Sequence, residues 1–265
     1  MKFKILLEYN GTRYSGWQKQ LNQPDTKTIQ GTLIKVVKKI LNGTKGSSRF
    51  IDLQGSGRTD AGVHALEQAA HLECETMLAP EILKLKINDE LPSDINILEI
   101  EKAPEKFHAR HDAKSRQYVY VISKRRTAFE KRYVWWIKDR LDVTKMKEAA
   151  VLFKGMHDFK SFSDKSGEDK STKCLIESLE ITDDEEKIYI RIKASHFLWK
   201  MVRRIIGTLV EAGRGNLTKE NVMQLLPTTG SGSPSPDRRG ARGEVFNPAE
   251  YTAPPSGLFL EKVYY

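Results

Sequence analysis

The chain has 265 residues, with 44 Lys and Arg against 35 Asp and Glu, a net charge of +9. That length holds one large domain or two ordinary ones, and 18 Gly with 10 Pro exclude collagen-like and low-complexity chains. Two cysteines, Cys74 and Cys174, build neither a disulfide framework nor a four-cysteine zinc site, and no apolar run approaches the about 18 residues of a membrane span.

In chain order, residues 2–9 read as a strand, closed by a turn at Asn10-Gly11. Ile29, Leu33, Val36, Val37, Ile40 and Leu41 recur at helical spacing and predict a helix over 28–41. A short strand follows at 49–54. The run 55–64 is too rich in glycine for either element and reads as a loop. A strand at 65–74 comes next, then a helix over 80–87 with Pro80 in its first turn, then a strand at 94–101. Residues 115–122 alternate and place Arg116, Tyr118, Tyr120 and Ile122 on one face of a strand. The remainder reads as a helix at 143–154, strands at 175–182 and 187–194, helices at 196–213 and 218–226, and a strand at 257–263. The helix at 196–213 gathers Met201, Ile205 and Leu209 on an apolar face. Its other arc, His196, Lys200, Arg203, Gly207 and Arg214, reads as a cationic ridge. His157-Asp158, between Phe159 and the preceding helix, reads as a packed turn.

This order lacks the regular alternation of a parallel sheet. The expected class is α+β in two halves, 1–104 and 105–265. Residues 227–256 contain no Ile, Leu or Lys, and 227–252 is expected to be a long exposed loop. The short apolar stretch Ile5-Leu6-Leu7 is no secretory signal, so a soluble cytoplasmic protein is expected.

Charge is uneven. Lys106 to Arg140 carries eleven Lys/Arg and three Asp/Glu, a net of +8, whereas Ser163 to Ile190 carries four against nine, a net of −5. Phe107, Tyr118, Tyr120, Phe129, Tyr133, Trp135 and Trp136 lie within the basic stretch. Clustered cations among aromatics suit a polyanion whose bases stack, that is, a nucleic acid.

The chemistry centres on GRTDAGVHA, Gly57 to Ala65. Asp60 sits in a glycine-rich loop between Arg58 and His64. A carboxylate there serves as nucleophile, base, metal ligand or turn cap. No phosphate-loop, GxSxG, kinase or zinc-deaminase pattern occurs, and His108 and His111 lie among cations that disfavour a metal. No metal is expected.

Taken together, several segments resemble the tRNA pseudouridine synthases of the A family. They are YNGTRYSGWQKQ from Tyr9, TIQGTL from Thr28, GRTDAGVHALEQ from Gly57, LPSDI from Leu91, FHARHDAKSRQYVYVI from Phe107, GMHDFKSF from Gly155, FLWKMVRRIIGTL from Phe197 and APPSGLFLEKVYY from Ala253. The resemblance implies two fused ferredoxin-like, RRM-like halves sharing one long, mostly antiparallel sheet, with helices on one face. It implies a homodimer with tRNA bound across both subunits. It also implies cofactor-free isomerisation of uridine to pseudouridine at positions 38, 39 and 40 of the anticodon stem-loop. By the same resemblance Asp60 is the nucleophile, Tyr118 stacks on the target base and Arg203 pairs with Asp60. Arg58, His64, Leu258, Lys124, Arg125 and Arg126 complete the implied substrate-binding set. The basic run RRTAFEKRYVWW lacks a proline before Phe129, and the loop before Ala253 is longer than the family pattern. A catalytically silent RNA-binding protein on the same fold, or a synthase for a narrower or different RNA target, is the alternative reading.

Overall fold

A computed structural model describes residues 1–23, 25–43, 48–164, 171–226 and 246–265. The chain divides into two compact units. The first contains Met1–Lys114 together with Phe259–Tyr265, and the second contains Ser115–Leu258. The expected boundary at 104/105 therefore falls early, and the last strand returns to the first unit. The reason is local. Tyr265 Oη donates to Ala109 O, Lys114 N–H donates to Tyr264 O, and His71 accepts from Ala109 N–H, so 105–114 is held by the first unit.

The first unit contains β1 (Lys2–Tyr9), α1 (Ile29–Asn42), β2 (Arg49–Gly55), β3 (His64–Glu75), α2 (Pro80–Glu90) and β4 (Ile95–Ala103). The C-terminal strand, Leu258–Tyr264 (hereafter β10), joins it from Phe259 onward. β1 lies between β4 and β3, antiparallel to both. β2 runs antiparallel along residues 70–75 of β3, while β10 pairs in parallel at His64 and Ala65. Alternation along β1 buries Phe3, Ile5, Leu7 and Tyr9. α1 starts where Thr28 accepts from Gly31 N–H, and buries the apolar stripe foreseen for it.

The second unit contains β5 (Ser115–Ser123), β6 (Trp135–Trp136), α3 (Val143–Val151), β7 (Gly155–Asp158), β8 (Lys173–Asp183), β9 (Lys187–Ala194), α4 (Met201–Gly213) and α5 (Lys219–Leu225). β9 lies between β5 and β8, β7 edges β8, and the two-residue β6 pairs in parallel with β5. Both units are mixed α and β, as expected. The pair His157-Asp158 is part of β7, with His157 opposite Cys174, and is not a turn.

The helix expected from 196 begins at Met201, because Lys200 adopts a left-handed conformation at φ 61 and blocks propagation. Of its polar arc, His196 and Arg214 are exposed, Lys200 and Arg203 are half-buried, and Gly207 is buried. Arg204 is 4% exposed and pairs with Asp164, which also takes Lys200. Arg214 pairs with Asp139 and Glu211. Gly207 is buried because the Tyr251 carbonyl lies against it. Of the loop expected at 227–252, residues 227–245 lie outside the described residues. Beyond them, Phe246 stacks on Tyr251 with ring centroids 4.6 Å apart.

Candidate active site

Asp60 lies on the turn that enters β3. The two flanks of this turn are buried at Thr59 and at Val63-His64, whereas Arg58 and Ala61 are exposed and Asp60 is half-buried. Val63 N–H donates to Asp60 O, and Gly62 takes φ +78, which closes the turn. The polypeptide beneath it is residues 11–17. Trp17 N–H donates to Thr59 O at 3.0 Å, and Gly62 N–H donates to Tyr14 O at 3.3 Å. Any Cβ on Gly16 would lie 2.5 Å from Thr59 O, and one on Gly11 would lie 1.9 Å from Val63 O. Only glycine allows these two main chains to touch.

Side chains fix the rest of the turn. Tyr9 Oη lies 2.8 Å from Thr59 Oγ1, and Gln68 Nε2 donates to Gly57 O at 3.2 Å. Gln68 Oε1 accepts from Ser56 Oγ at 2.7 Å. Burial pushes the Tyr9 phenol up to about 12 against the hydrogen bonds of Thr59 and Gln68, so it stays a neutral donor. Arg58 Nε donates to Gln18 Oε1. His64, expected to bind substrate, is buried, stacks on Phe259 and accepts Gly11 N–H at Nδ1. It is placed to hold the turn.

The other expected residues belong to the second unit. Tyr118 on β5 is 8% exposed and meets the Phe197 ring edge to face at 5.1 Å. Arg203, in the first turn of α4, donates from Nε to Ala253 O at 2.6 Å, while Ala253 N–H donates to Arg203 O. Tyr120 Oη donates to Pro254 O, and a Cβ on Gly257 would meet Val121 O at 2.7 Å. These contacts seat 253–257 against β5 and α4 and bury Leu258. Lys124 and Arg125 are ion-paired, with Asp183 and Glu186 respectively, so part of the basic stretch is met by the acidic one. Arg126 lies over the Trp136 ring at 5.9 Å.

Among the described residues, no group of three or more His, Cys, Asp or Glu could hold a metal ion, and no helix is long and apolar enough to cross a membrane. Tyr9, Gly16, Trp17 and Gln68 had received no role at the site from the sequence, and Gly11 only that of a turn residue. The paired glycines of YNGTRYSGWQ were the available signal for a close main-chain approach.

The family model described as tRNA pseudouridine synthase matches residues 5–112 and 149–265. The chain belongs to the tRNA pseudouridine synthase family. It is 37% identical over 264 residues to "tRNA pseudouridine synthase A 2" of Clostridium perfringens, covering 99% of this chain and 98% of the relative. It is 37% identical over 268 residues to "tRNA pseudouridine synthase A" of Ehrlichia chaffeensis, covering 100% of both. A relative of the latter name in Thermodesulfovibrio yellowstonii is 35% identical over 277 residues, again covering 100% of both. Asp60, Arg203 and Leu258 fall inside the matched family segments, while Tyr118, Lys124, Arg125 and Arg126 fall between them.

Proposed function

We propose that the protein isomerises uridine to pseudouridine at positions 38, 39 and 40 of the tRNA anticodon stem-loop, with Asp60 as the nucleophile. The observation that carries this reading is the seating of Asp60. Its turn is fixed by main-chain contacts at 59, 62 and 63, yet the side chain is half-buried beside the exposed Arg58. A group used in covalent catalysis needs such a fixed position. In the reaction the N1–C1′ bond breaks, the base turns, and C5 bonds to C1′. The proton leaves C5 and one is taken up at N1. Product and substrate are isomers, so no redox partner or cofactor is required.

The other roles follow from the family resemblance. Tyr118, steadied by Phe197, stacks on the target base. By the same resemblance Arg203 is the partner of Asp60. Arg58 fills the space left by the extruded nucleotide, whose removal from the stack costs a few kcal/mol. Leu258 lines the base pocket. Lys124, Arg125 and Arg126 meet phosphates, and the exposed ion pairs of the first two open at little cost. Two copies of the 30.3 kDa chain bind the tRNA together in the cytoplasm. Light scattering then reads twice that mass, and a fully active monomer overturns the dimer.

The test is Asp60→Asn, which keeps size and turn-capping capacity but removes the nucleophile. Tritium release from 5-tritiated uridine in tRNA should vanish while filter binding stays near normal, because phosphate contacts supply most of the affinity. Transcripts with one uridine, at 38, 39 or 40, report the positions accepted. Release within about tenfold of the parent returns Asp60 to a turn residue and favours a silent RNA-binding protein.

A further inference from the structure

The segment beneath the Asp60 turn is itself held by one buried carboxylate. Asp94 lies in the LPSDI run, at the turn that leads into β4, and its side chain is 7% exposed. Its Oδ1 accepts from Tyr14 Oη at 2.5 Å, and its Oδ2 accepts from Arg13 Nε and Nη2 at 3.1 and 2.8 Å. Its carbonyl oxygen accepts Asn10 N–H at 2.9 Å. Three acceptor atoms of one residue thus bind three positions, 10, 13 and 14, at the start of the segment. The Lys27 ammonium covers the Tyr14 ring at 4.5 Å.

From Tyr14 the connection to the turn is direct. Tyr14 O takes Gly62 N–H, and three residues on Trp17 N–H reaches Thr59 O. Gly16 rests on the main chain of Thr59 and Asp60. The hydroxyl–carboxylate bond is of the short, charge-assisted type, about twice as strong as a neutral one. Burial and the facing carboxylate hold the Tyr14 phenol well above its ordinary range. Burial opposes ionisation of Asp94, but the hydrogen bonds of Tyr14 and Arg13 outweigh it and hold that carboxyl low. Both groups therefore keep the same state across the neutral range. Neither is a candidate for proton transfer, and what they supply is position.

We propose that Asp94 and Tyr14 are positioning residues for Asp60: the carboxylate of Asp94, acting through the Tyr14 hydroxyl, sets the place of segment 14–17 and hence of the turn seated on it. The proposal rests on the reading of Asp60 as nucleophile. A displacement of about 1 Å at a reacting group costs on the order of a hundredfold in rate. Placement by a second residue is therefore visible in turnover even where the fold survives.

The experiment uses the full chain and compares Tyr14→Phe, Asp94→Asn and the parent, well below their melting temperatures. Tyr14→Phe keeps the ring under Lys27 and deletes only the hydroxyl. It should lower kcat for tritium release roughly 10–100-fold, with KM and filter-binding affinity for tRNA within about twofold. Asp94→Asn turns one of the two acceptor oxygens into an N–H donor, so it cannot accept from both Tyr14 and Arg13, and it should lower kcat at least as far as Tyr14→Phe does. A merely structural role predicts a different pattern, in which turnover and tRNA binding fall together with the folded fraction. That pattern, or a kcat per folded molecule within twofold of the parent in both variants, overturns the proposal. If Tyr14→Phe does not fold, Asp94→Asn alone decides by the same kcat-against-KM split. A parent that binds tRNA but releases no tritium sinks the isomerase reading instead, and the two failures are thereby distinguished.

Discussion

Replacing Gly207 by alanine tests how α4 and the segment carrying Ala253 and Pro254 are fitted together. In an ordinary helix interior the change gains about 1 kcal/mol. Here the new Cβ would lie 1.6 Å from Tyr251 O and 2.7 Å from its carbonyl carbon. Ordinary carbon–oxygen contact begins near 3.3 Å, so the main chain at 251 must retreat by about 1.7 Å. Three hydrogen bonds depend on its present place: Ala253 N–H to Arg203 O, Arg203 Nε to Ala253 O, and Tyr120 Oη to Pro254 O. Overpacking costs about 1–3 kcal/mol and each of the three weakened hydrogen bonds about 1, so after the helical gain the net loss is about 3–5 kcal/mol. At about 2–4 °C per kcal/mol, the melting temperature should fall by roughly 6–20 °C. The check is a thermal melt with a urea titration, and Gly43→Ala serves as the control. At Gly43 the added Cβ meets its nearest atoms at 3.5 and 3.7 Å, an ordinary contact. The control should stay within about 0.5 kcal/mol of the parent. A Gly207→Ala protein that melts at or above the parent would refute the close approach.

Replacing Lys124, Arg125 and Arg126 by alanine should weaken tRNA binding and flatten the plot of log K against log salt by about 0.9 for each phosphate no longer neutralised. Lys124 and Arg125 already face Asp183 and Glu186, so Arg126→Ala alone should flatten it more than either of the others alone. An unchanged slope in the triple variant means that the cluster does not face the RNA. Acid should loosen the first unit through His71 and His108, whose rings meet at 4.6 Å and whose Nδ1 atoms accept main-chain N–H groups. Burial lowers both from the ordinary value. His108 and Lys2 add to the shift at His71 while Asp52 and Glu73 oppose it; at His108, His111 and Lys2 add and Asp112 opposes. A lowered histidine takes up its proton more readily in the unfolded chain, so stability falls as pH drops below about 6.5 and levels off below the folded value. The urea midpoint should therefore decrease between pH 7.5 and 5.5, and His71→Asn should reduce that decrease. An identical decrease in the variant would remove His71 from the account.

Where local periodicity carries the information, the elements were legible in the sequence. The strands from Lys2 and Lys187 and the helix from Ile29 each bury one face of a strict pattern, so their ends fall within a residue or two of expectation. Where a single backbone angle decides, they were not. The run from Phe197 to Leu209 keeps helical spacing throughout, yet Lys200 at φ 61 delays the helix to Met201. Arg204, which received no role from the sequence, is buried in an ion pair with Asp164, 40 residues away in sequence. The two short strands, Trp135–Trp136 and Gly155–Asp158, owe their form to the neighbours they pair with rather than to any alternation of their own.

The same distinction governs the site. Asp60 stood out because its chemistry is written in its residue type and its glycine-rich surroundings. The residues that give it a fixed address do not advertise themselves that way. Gln68 reads as one polar residue in a strand, Tyr9 as one aromatic in another, and Asp94 as the first residue of a third. In the fold, Gln68 and Tyr9 grip the turn at Gly57 and Thr59, and Asp94 grips the segment beneath it. On the proposed reading, a reaction that exchanges one glycosidic bond for another places its demand on the position of the Asp60 carboxylate. Most of the motif around that carboxylate is therefore expected to face inward. Thr59, Val63, His64 and Gln68 do so, while Arg58 is exposed and Asp60 half-buried.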